Sequence, residues 1–157
     1  MLTINGVHEC KADAKGRVAL PAPLRKQLND IISEGFVLKR SVFQPCLELY
    51  PMQAWNQVMT KVNRLNRFVK KNNDFIRRFS AGVKIIELDN NGRILIPKDL
   101  LQFGGIESDL VLASAVDIIE IWDKSAYEQS VSNDSADFGA LAEEVMGELK
   151  YDEPDVS

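Results

Sequence analysis

A nine-residue motif that occurs twice constrains the fold of this chain more than any other feature. Asp13–Pro21 and Asp89–Pro97 both read Asp-x-x-Gly-Arg, then three apolar residues, then proline. Similar segments follow each copy in the same order, so the motif marks an internal duplication. Two copies are too few for a solenoid, which requires at least about three repeats. We therefore expect one pseudo-symmetric body built from two related halves.

The duplication predicts the domain organisation. Repeat one covers residues 8–53, a helical linker covers 54–81, and repeat two covers 82–127. Each repeat has roughly 45 residues, which is marginal for an independent domain, so we expect the repeats to share one core. Residues 132–157 are acidic and rich in small side chains, which favours a tail that is largely disordered. Four apolar residues of this tail could line one face of a helix: Phe138, Leu141, Val145 and Leu149.

Apolar periodicity predicts the secondary structure of each repeat. Strands flank each motif turn as a β-hairpin, and a short helix follows each proline, over Pro21–Asn29 and Pro97–Phe103. Two further strands complete each repeat. The segment Pro51–Phe79, which includes most of the linker, carries an apolar stripe at helical spacing, and Asn72-Asn73 is expected to divide it into two helices. The predicted fold class is therefore α+β.

Charge is distributed unevenly along the chain, although the formal net charge is only -4. Residues 1–80 contain 14 lysines and arginines against 6 acidic residues, a balance of +8. Residues 81–157 contain 5 against 17, a balance of -12. A basic half favours binding to nucleic acid, and the alternative is two solvated faces that attract each other between subunits.

Several classes of protein have little support in the sequence. The N-terminus lacks the pattern of a signal peptide and no apolar run is long enough to span a membrane, so we expect a cytoplasmic protein. Cys10 and Cys46 lie outside any CxxC motif, which disfavours a disulfide or a metal site. His8 is the only histidine, and no glycine-rich phosphate-binding motif occurs. We expect no catalytic residues, no metal, no cofactor and no small-molecule substrate.

The aspartate and the glycine of each motif are expected to build its turn. Asp13 and Asp89 can accept hydrogen bonds from backbone N–H groups two residues further on. Gly16 and Gly92 can supply the positive φ that closes a three-residue hairpin loop. The aspartate then lies opposite the motif arginine at the base of the hairpin.

The arginine of each motif is the candidate for function. A guanidinium group can bind a phosphate, or O6 and N7 of guanine in the major groove, which a two-stranded β-ribbon fits. Arg17 and Arg93 are therefore candidate DNA contacts, and the alternative is that they only brace the turn. Ala14-Lys15 in repeat one is replaced by Asn90-Asn91 in repeat two, so we expect repeat one to make the stronger contacts. Four further cations are candidate DNA contacts: Lys11, Lys15, Lys39 and Arg40.

These motifs resemble those of the MraZ family of bacterial transcriptional regulators, within the SpoVT/AbrB superfamily. The resemblance covers about residues 5–130, including both turns, the strand ends Leu47–Pro51 and Ile119–Asp123, and an aromatic residue in each following helix. It implies two tandem AbrB-type units that form a pseudo-symmetric swapped-hairpin β-barrel with flanking helices. The acidic tail after Ser132 lies outside the resemblance.

The resemblance also implies a function. Its members form ring-shaped homo-oligomers in the cytoplasm and nucleoid, bind direct repeats upstream of a division and cell-wall gene cluster, and usually repress it. The DNA-contacting arginines of the family correspond to Arg17 and Arg93. The chain is thus predicted to be a sequence-specific regulator that binds double-stranded DNA and is not an enzyme. The alternatives are a MazE-like antitoxin or other protein-interaction module, which residues 132–157 keep open, and a hydrolase with clustered carboxylates.

Overall fold

A computed structural model describes residues 2–132 and 137–152 of the chain. The chain divides into two compact units, Met1–Lys124 and Ser125–Ser157. Both motif turns and the strands that follow them belong to the first unit.

Strands and short helices alternate along the first unit. Its strands are β1 Val7–Lys11, β2 Arg17–Ala19, β3 Phe36–Arg40, β4 Leu47–Pro51, β5 Lys84–Ile86, β6 Arg93–Leu95, β7 Asp109–Ala115 and β8 Ile118–Asp123. Its helices are α1 Ala22–Leu28, α2 Met52–Val62, α3 Lys70–Ser80 and α4 Lys98–Gly104, with a 3-10 turn at Ile32–Glu34. Two further helices follow, α5 Lys124–Ser132 and α6 Phe138–Asp152. As predicted, α1 and α4 begin directly after Pro21 and Pro97, whose fixed φ suits the start of a helix.

The two repeats share one six-stranded sheet. Its order is β1-β7-β8-β4-β3-β5, and each neighbouring pair is antiparallel. β1 of repeat one pairs with β7 of repeat two, with Val7 opposite Ala113. β5 of repeat two pairs in turn with β3 of repeat one, with Phe36 opposite Ile86. Each repeat therefore contributes its first strand to the other, which explains how two short repeats form a single core.

The return strands of the two motifs form a separate two-stranded sheet. β2 and β6 pair antiparallel, with Arg17 opposite Leu95, Val18 opposite Ile94, and Ala19 opposite Arg93. The predicted hairpins are therefore only partly right, because each return strand leaves its own first strand and pairs with its counterpart. Each return strand has one buried side chain, Val18 or Ile94, and this pairing brings both into the core.

The closed barrel that the resemblance implies is not confirmed. Among the described residues, β1 and β5 are the two edges of the six-stranded sheet, and no strand pairing joins them. The strand exchange between repeats is present, but the sheet stays open. The observed architecture is a mixed α+β fold with flanking helices.

Apolar side chains cover both faces of the six-stranded sheet. One face packs against the return strands, α1 and α4 through a cluster that includes Val18, Leu24, Phe36, Leu38, Ile94, Leu100, Leu110 and Ile121. On the other face, Val37 and Tyr50 pack with Ala54 and Trp55 of α2. The Trp55 ring stacks on Phe79 of α3, with 5.8 Å between ring centroids. The return strands thus have the core behind them and keep their outer face exposed.

The helical linker is divided at residues 63–69 and not at Asn72-Asn73. The two asparagines lie inside α3, and their side-chain amides donate to backbone carbonyls of the connecting segment. Asn72 bonds to the carbonyl of Asn66 at 3.1 Å, and Asn73 to that of Arg67 at 3.3 Å. The asparagines therefore stabilise the bend from within the second helix, because each side-chain amide donates to a backbone carbonyl of the segment between the two helices.

The acidic segment contains a helix where the sequence predicts a largely disordered tail. α6 spans Phe138–Asp152 and includes the four apolar residues that were expected to line a helix face. Their side chains are between 51% and 66% exposed. Residues 133–136 and 153–157 lie outside the described residues, so the prediction of disorder there is not addressed.

Candidate nucleic-acid interface

The carboxylate of Asp13 organises the first motif turn. Its Oδ1 accepts the backbone N–H groups of Lys15 and Arg17, both at 2.9 Å, and its Oδ2 accepts Nε–H of Arg17 at 2.6 Å. Beneath it, the Asp13 N–H donates to the Arg17 carbonyl and the Gly16 N–H to the Asp13 carbonyl, each at 3.0 Å. Asp13 thus closes the turn and also fixes the direction of the Arg17 side chain.

The second motif turn repeats this geometry closely. Oδ1 of Asp89 accepts the backbone N–H groups of Asn91 at 2.8 Å and of Arg93 at 2.9 Å. Oδ2 accepts Nε–H of Arg93 at 2.9 Å. The agreement between the two turns follows from their shared residues, because every one of these bonds involves the motif aspartate, its arginine or a backbone group between them.

Both turn aspartates are held in the charged form. The backbone hydrogen bond from Arg17 keeps the pKa of Asp13 below its ordinary value of 3.8, and the bond from Arg93 does the same for Asp89. Hydrogen bonds to a carboxylate favour the ionised state over the protonated one. At neutral pH each turn is therefore a carboxylate–guanidinium pair.

The motif glycines connect each turn to the return strand of the other repeat. Gly16 has a φ of 84°, and its carbonyl accepts the N–H of Ile96 at 2.9 Å. Gly92 has a φ of 73°, and its carbonyl accepts the N–H of Leu20 at 3.0 Å. A β-carbon on Gly16 would lie 2.6 Å from the carbonyl oxygen of Ile96, so only glycine fits this approach. Backbone hydrogen bonds therefore join each turn to the end of the opposite return strand.

The outer face of the two-stranded sheet displays both motif arginines. Val18 and Ile94 point to the core and are fully buried, so alternation places the remaining four residues on the opposite face. Two residues along a strand span roughly 7 Å and paired strands lie about 5 Å apart, which puts the two arginine α-carbons about 8 Å apart. We call this surface the ribbon face; it consists of Arg17, Ala19, Arg93 and Leu95.

Each motif arginine keeps part of its guanidinium available. The pair with aspartate uses only Nε in both turns. Within the described part of the chain, no hydrogen bond involves the Nη atoms of Arg17 or Arg93, and these side chains are 35% and 29% exposed. Bracing of the turn and contact with a ligand are therefore compatible. The aspartate orients the group, and the two terminal nitrogens can donate to a phosphate or a base edge.

The two other cations of the first hairpin are exposed. Lys15 lies at the tip of the first turn, beside Lys98 and Glu107. Lys11 is 81% exposed at the end of β1, where its Nζ lies 4.0 Å from the carboxylate of Asp109. Lys15 is thus placed to meet an anion next to the ribbon face, whereas Lys11 is partly neutralised by its neighbour.

Lys39 does not lie where a phosphate contact requires it. Its side chain is 1% exposed, and its ammonium donates to the Arg40 carbonyl and lies 3.7 Å from a carboxylate oxygen of Glu48. The same nitrogen lies 4.4 Å from the ring centroid of Phe79. Burial lowers the pKa of Lys39, and the charge of Glu48 opposes that shift. This placement argues against the predicted phosphate contact, because β3 is covered by α3 on the face that carries Lys39.

Arg40 is half-buried and also lies apart from the expected role. Its guanidinium carbon is 5.0 Å from the ring centroid of Phe103, and its Nε has no hydrogen-bond partner in the residues that the structure describes. It lines a groove between the end of β3 and α3. This environment is a concave pocket, unlike the open surface of the ribbon face.

Arg25 is not among the candidate DNA contacts, because from the sequence alone it could equally be a solvated residue of the first short helix. A β-carbon built on Gly92 would lie 3.1 Å from Nη1 and 3.3 Å from Cδ of Arg25, so this exposed side chain of α1 covers the second turn. At the first turn, the corresponding position is the apolar side chain of Leu101. The second turn therefore gains a cation that its own loop lacks, which offsets the advantage predicted for Lys15 in repeat one. The offset of 76 residues between the motifs relates Arg25 to Leu101 and is the signal that could have indicated this position.

The fold and the ribbon face define a class of protein: a duplicated α+β chain whose two Asp-x-x-Gly-Arg turns present arginines on one exposed β-ribbon. A family model described as "MraZ protein, putative antitoxin-like" matches residues 3–78 and again residues 79–148. The chain belongs to the MraZ family. The second match includes most of α6, so the family resemblance extends beyond the limit near residue 130 that the sequence motifs suggest.

Three curated relatives match over nearly the whole chain, and each of them carries the name "Transcriptional regulator MraZ". The relative from Flavobacterium psychrophilum is 62% identical over 157 residues, which is 100% of both chains. That from Christiangramia forsetii is 60% identical over 152 residues, or 97% of this chain and 98% of the relative. That from Bacteroides fragilis is 42% identical over 149 residues, or 94% of each.

In the part of the chain that the structure describes, no helix is both long enough and apolar enough to cross a membrane. No group of three or more histidine, cysteine, aspartate or glutamate side chains in residues 2–132 and 137–152 is arranged to hold a metal ion. Cys46 is buried, and burial raises the pKa of its thiol to about 12.

Proposed function

We propose that this protein is a transcriptional regulator that binds double-stranded DNA in a sequence-specific manner through the ribbon face. The observation that carries the proposal is the pair of oriented guanidinium groups with free terminal nitrogens on one exposed two-stranded sheet. The names of the relatives support the regulatory role. The proposal assigns no catalytic activity to the chain.

The ribbon face suits the major groove in width and chemistry. A two-stranded β-ribbon enters this groove, and an arginine can donate two hydrogen bonds to O6 and N7 of guanine. An α-carbon separation of about 8 Å corresponds to roughly two base-pair steps of 3.4 Å. One chain would thus contact only a few neighbouring base pairs. Lys15 and Arg25 lie beside the two turns and would hold flanking phosphates.

Such a small footprint calls for several chains on one site. We propose that the protein assembles into a ring-shaped homo-oligomer and binds promoter sequences repeated in the same direction, since linked sites raise the effective concentration of each further contact. In keeping with the family resemblance, the regulated genes would be a division and cell-wall cluster, with repression as the outcome. The protein would act in the cytoplasm at the nucleoid. We also propose that the repeats cover residues 8–53 and 82–127 and that the helical linker covers 54–81.

Selection of binding sites from random duplex DNA, together with a mass measurement of the free protein, tests this function. We expect enrichment of short directly repeated motifs and a defined oligomer. Affinity should fall steeply as salt is raised, because each phosphate contact releases counterions. Recovery of unrelated sequences, or an affinity that does not respond to salt, would rule out sequence-specific binding of this kind.

A second candidate function is that of a MazE-like antitoxin, which binds and neutralises a toxin protein. The description of the matching family model as antitoxin-like supports it, as does α6 with its exposed apolar side chains. Affinity purification of the full chain from its native host distinguishes the two functions. Stoichiometric recovery of a small ribonuclease favours the antitoxin, whereas recovery of promoter DNA without such a partner favours the regulator.

A further inference from the structure

A groove beside α3 combines positive charge with aromatic side chains and takes no part in the proposed DNA contact. We call it the α3 groove; its main lining residues are Lys39, Arg40, Lys71, Phe75, Arg78 and Phe103. Its volume is about 680 Å³. Small-molecule sites commonly occupy roughly 300–1,000 Å³ and join apolar walls to a few polar groups. The groove therefore has the size and composition of a site for a small ligand.

The groove carries an excess of positive charge. Lys71 and Arg78 are exposed on one side of α3, and neither has an ion-pair partner in the described part of the chain. Asp74, the acidic side chain of the lining, is already bound to Arg77, with 3.0 Å between Oδ1 and Nη1. Together with Arg40, the groove thus presents three cations that no local carboxylate neutralises. Such a cluster favours a ligand with more than one negative charge.

Arg40 supplies a second indication of an anion. Its Nε is buried and has no hydrogen-bond partner among the described residues, although its guanidinium lies against the Phe103 ring. A buried N–H without a partner costs free energy, and such groups are rare unless a ligand or water satisfies them. The terminal Nη groups of Arg40 make no hydrogen bond within the described residues, and they can donate to a ligand oxygen in the groove that Arg40 lines. The charge of Lys39 is neutralised by Glu48, so this residue lines the groove without adding to its positive charge.

The aromatic side chains indicate a planar group in the same ligand. Phe75 is 43% exposed, and its ring stacks on the buried Phe79 at a centroid distance of 5.4 Å. One side of the Phe75 ring is therefore supported by protein, and the exposed part is open to stacking. Stacking of a nucleobase on an aromatic side chain contributes about 1–3 kcal/mol and tolerates any base. Aromatic and multiply anionic parts occur together in nucleotides.

We propose that the α3 groove binds a nucleoside polyphosphate, with its base on Phe75 and its phosphates held by Arg40, Lys71 and Arg78. The site is separate from the ribbon face and does not depend on the proposed DNA contact. It would make the regulator responsive to a soluble nucleotide.

Isothermal titration of the full-length protein with ATP, inorganic triphosphate and adenosine tests this site. We expect saturable binding of ATP with one site per chain, and binding at least about tenfold weaker for each of the two fragments, since each lacks one kind of contact. The double variant Lys71→Ala/Arg78→Ala should weaken ATP binding by about tenfold or more. Phe75→Ala should weaken ATP binding but leave triphosphate binding unchanged.

Matched variants separate this site from the ribbon face. Lys61→Ala/Arg64→Ala removes the same charge from exposed positions outside the groove and should leave ATP binding intact. Arg17→Ala/Arg93→Ala should also retain it. No saturation by ATP at millimolar concentration would overturn the proposal, as would equal losses in the groove and control variants. Loss of ATP binding in the Arg17/Arg93 variant would instead assign the nucleotide to the DNA face and equally overturn it.

Discussion

Replacing the motif glycines with alanine should destabilise the two turns to different extents. Gly16→Ala and Gly92→Ala introduce the same side chain at equivalent positions with similar φ values, 84° and 73°. Their surroundings differ, because the new β-carbon at position 16 meets the backbone carbonyl of Ile96 at 2.6 Å, whereas at position 92 it meets the flexible end of Arg25 at 3.1 Å. The comparison therefore separates the effect of the group that the new β-carbon meets from the effect of the backbone conformation.

The expected costs can be worked out from these contacts. A non-glycine residue in the left-handed region costs roughly 1–2 kcal/mol, and this applies to both variants. At Gly16 the carbonyl of Ile96 must also move away, which disturbs the hydrogen bond from the Ile96 N–H to the Gly16 carbonyl, worth about 0.5–1.5 kcal/mol. We expect Gly16→Ala to lower the free energy of unfolding by roughly 1.5–3.5 kcal/mol, the sum of these two costs. Gly92→Ala should lower it by about 1–2 kcal/mol, because Arg25 can move aside.

Urea denaturation followed by circular dichroism measures this difference. Wild type and both variants must be compared at the same protomer concentration, since association contributes to the apparent stability. As a control, Gly92→Ala is also made in the Arg25→Ala background. We expect the glycine change to lower the free energy of unfolding by the same amount there as in the wild-type background. Equal costs for Gly16→Ala and Gly92→Ala would refute the idea that the Ile96 carbonyl fixes glycine at position 16.

Two further variants test the roles of buried and ionised groups. Lys39→Ala should lower the free energy of unfolding in urea by about 3–5 kcal/mol, because it leaves Glu48 without its buried partner. The DNA affinity of the folded protein should stay unchanged. Weaker DNA binding without a loss of stability would instead support Lys39 as a phosphate contact. The folded pKa values of Asp13 and Asp89 are lowered, so their stabilising contribution is present above the unfolded value near 3.8 and is lost as pH falls through the folded values. In thermal unfolding, the difference in stability between wild type and Asp13→Asn/Asp89→Asn should become smaller as the pH drops below about 3.8. A difference that does not change with pH would contradict stabilisation by the ionised aspartates.

The local parts of the structure could be predicted from the sequence. The bonds of each turn join residues no more than four positions apart, so the aspartate, glycine and arginine of the motif specify them directly. The short helices after Pro21 and Pro97 follow from the same kind of local rule. The family resemblance also rests on local segments, namely the two turns and the strand ends Leu47–Pro51 and Ile119–Asp123.

The parts that could not be predicted depend on distant contacts. The pairing of β2 with β6 joins residues of different repeats, and nothing in the motif distinguishes it from an ordinary hairpin. Lys39 is predicted as a DNA contact because the sequence does not show that α3 covers that face of β3. The contact of Arg25 with the second turn likewise arises only when α1 and the exchanged strand come together. Errors in the predicted interface therefore trace to tertiary packing and not to the motif.

DNA binding by Arg17→Ala/Arg93→Ala tests the central claim most directly. The measurement is fluorescence anisotropy with a selected repeat-containing duplex and a scrambled duplex, for wild type, this variant and Lys61→Ala/Arg64→Ala. Each arginine–guanine pair contributes about 1–3 kcal/mol of discrimination, so we expect the variant to lose at least about tenfold in preference for the repeat-containing duplex. The control variant should keep that preference. Retained preference in the arginine variant, or an equal loss in the control, would contradict recognition by the ribbon face.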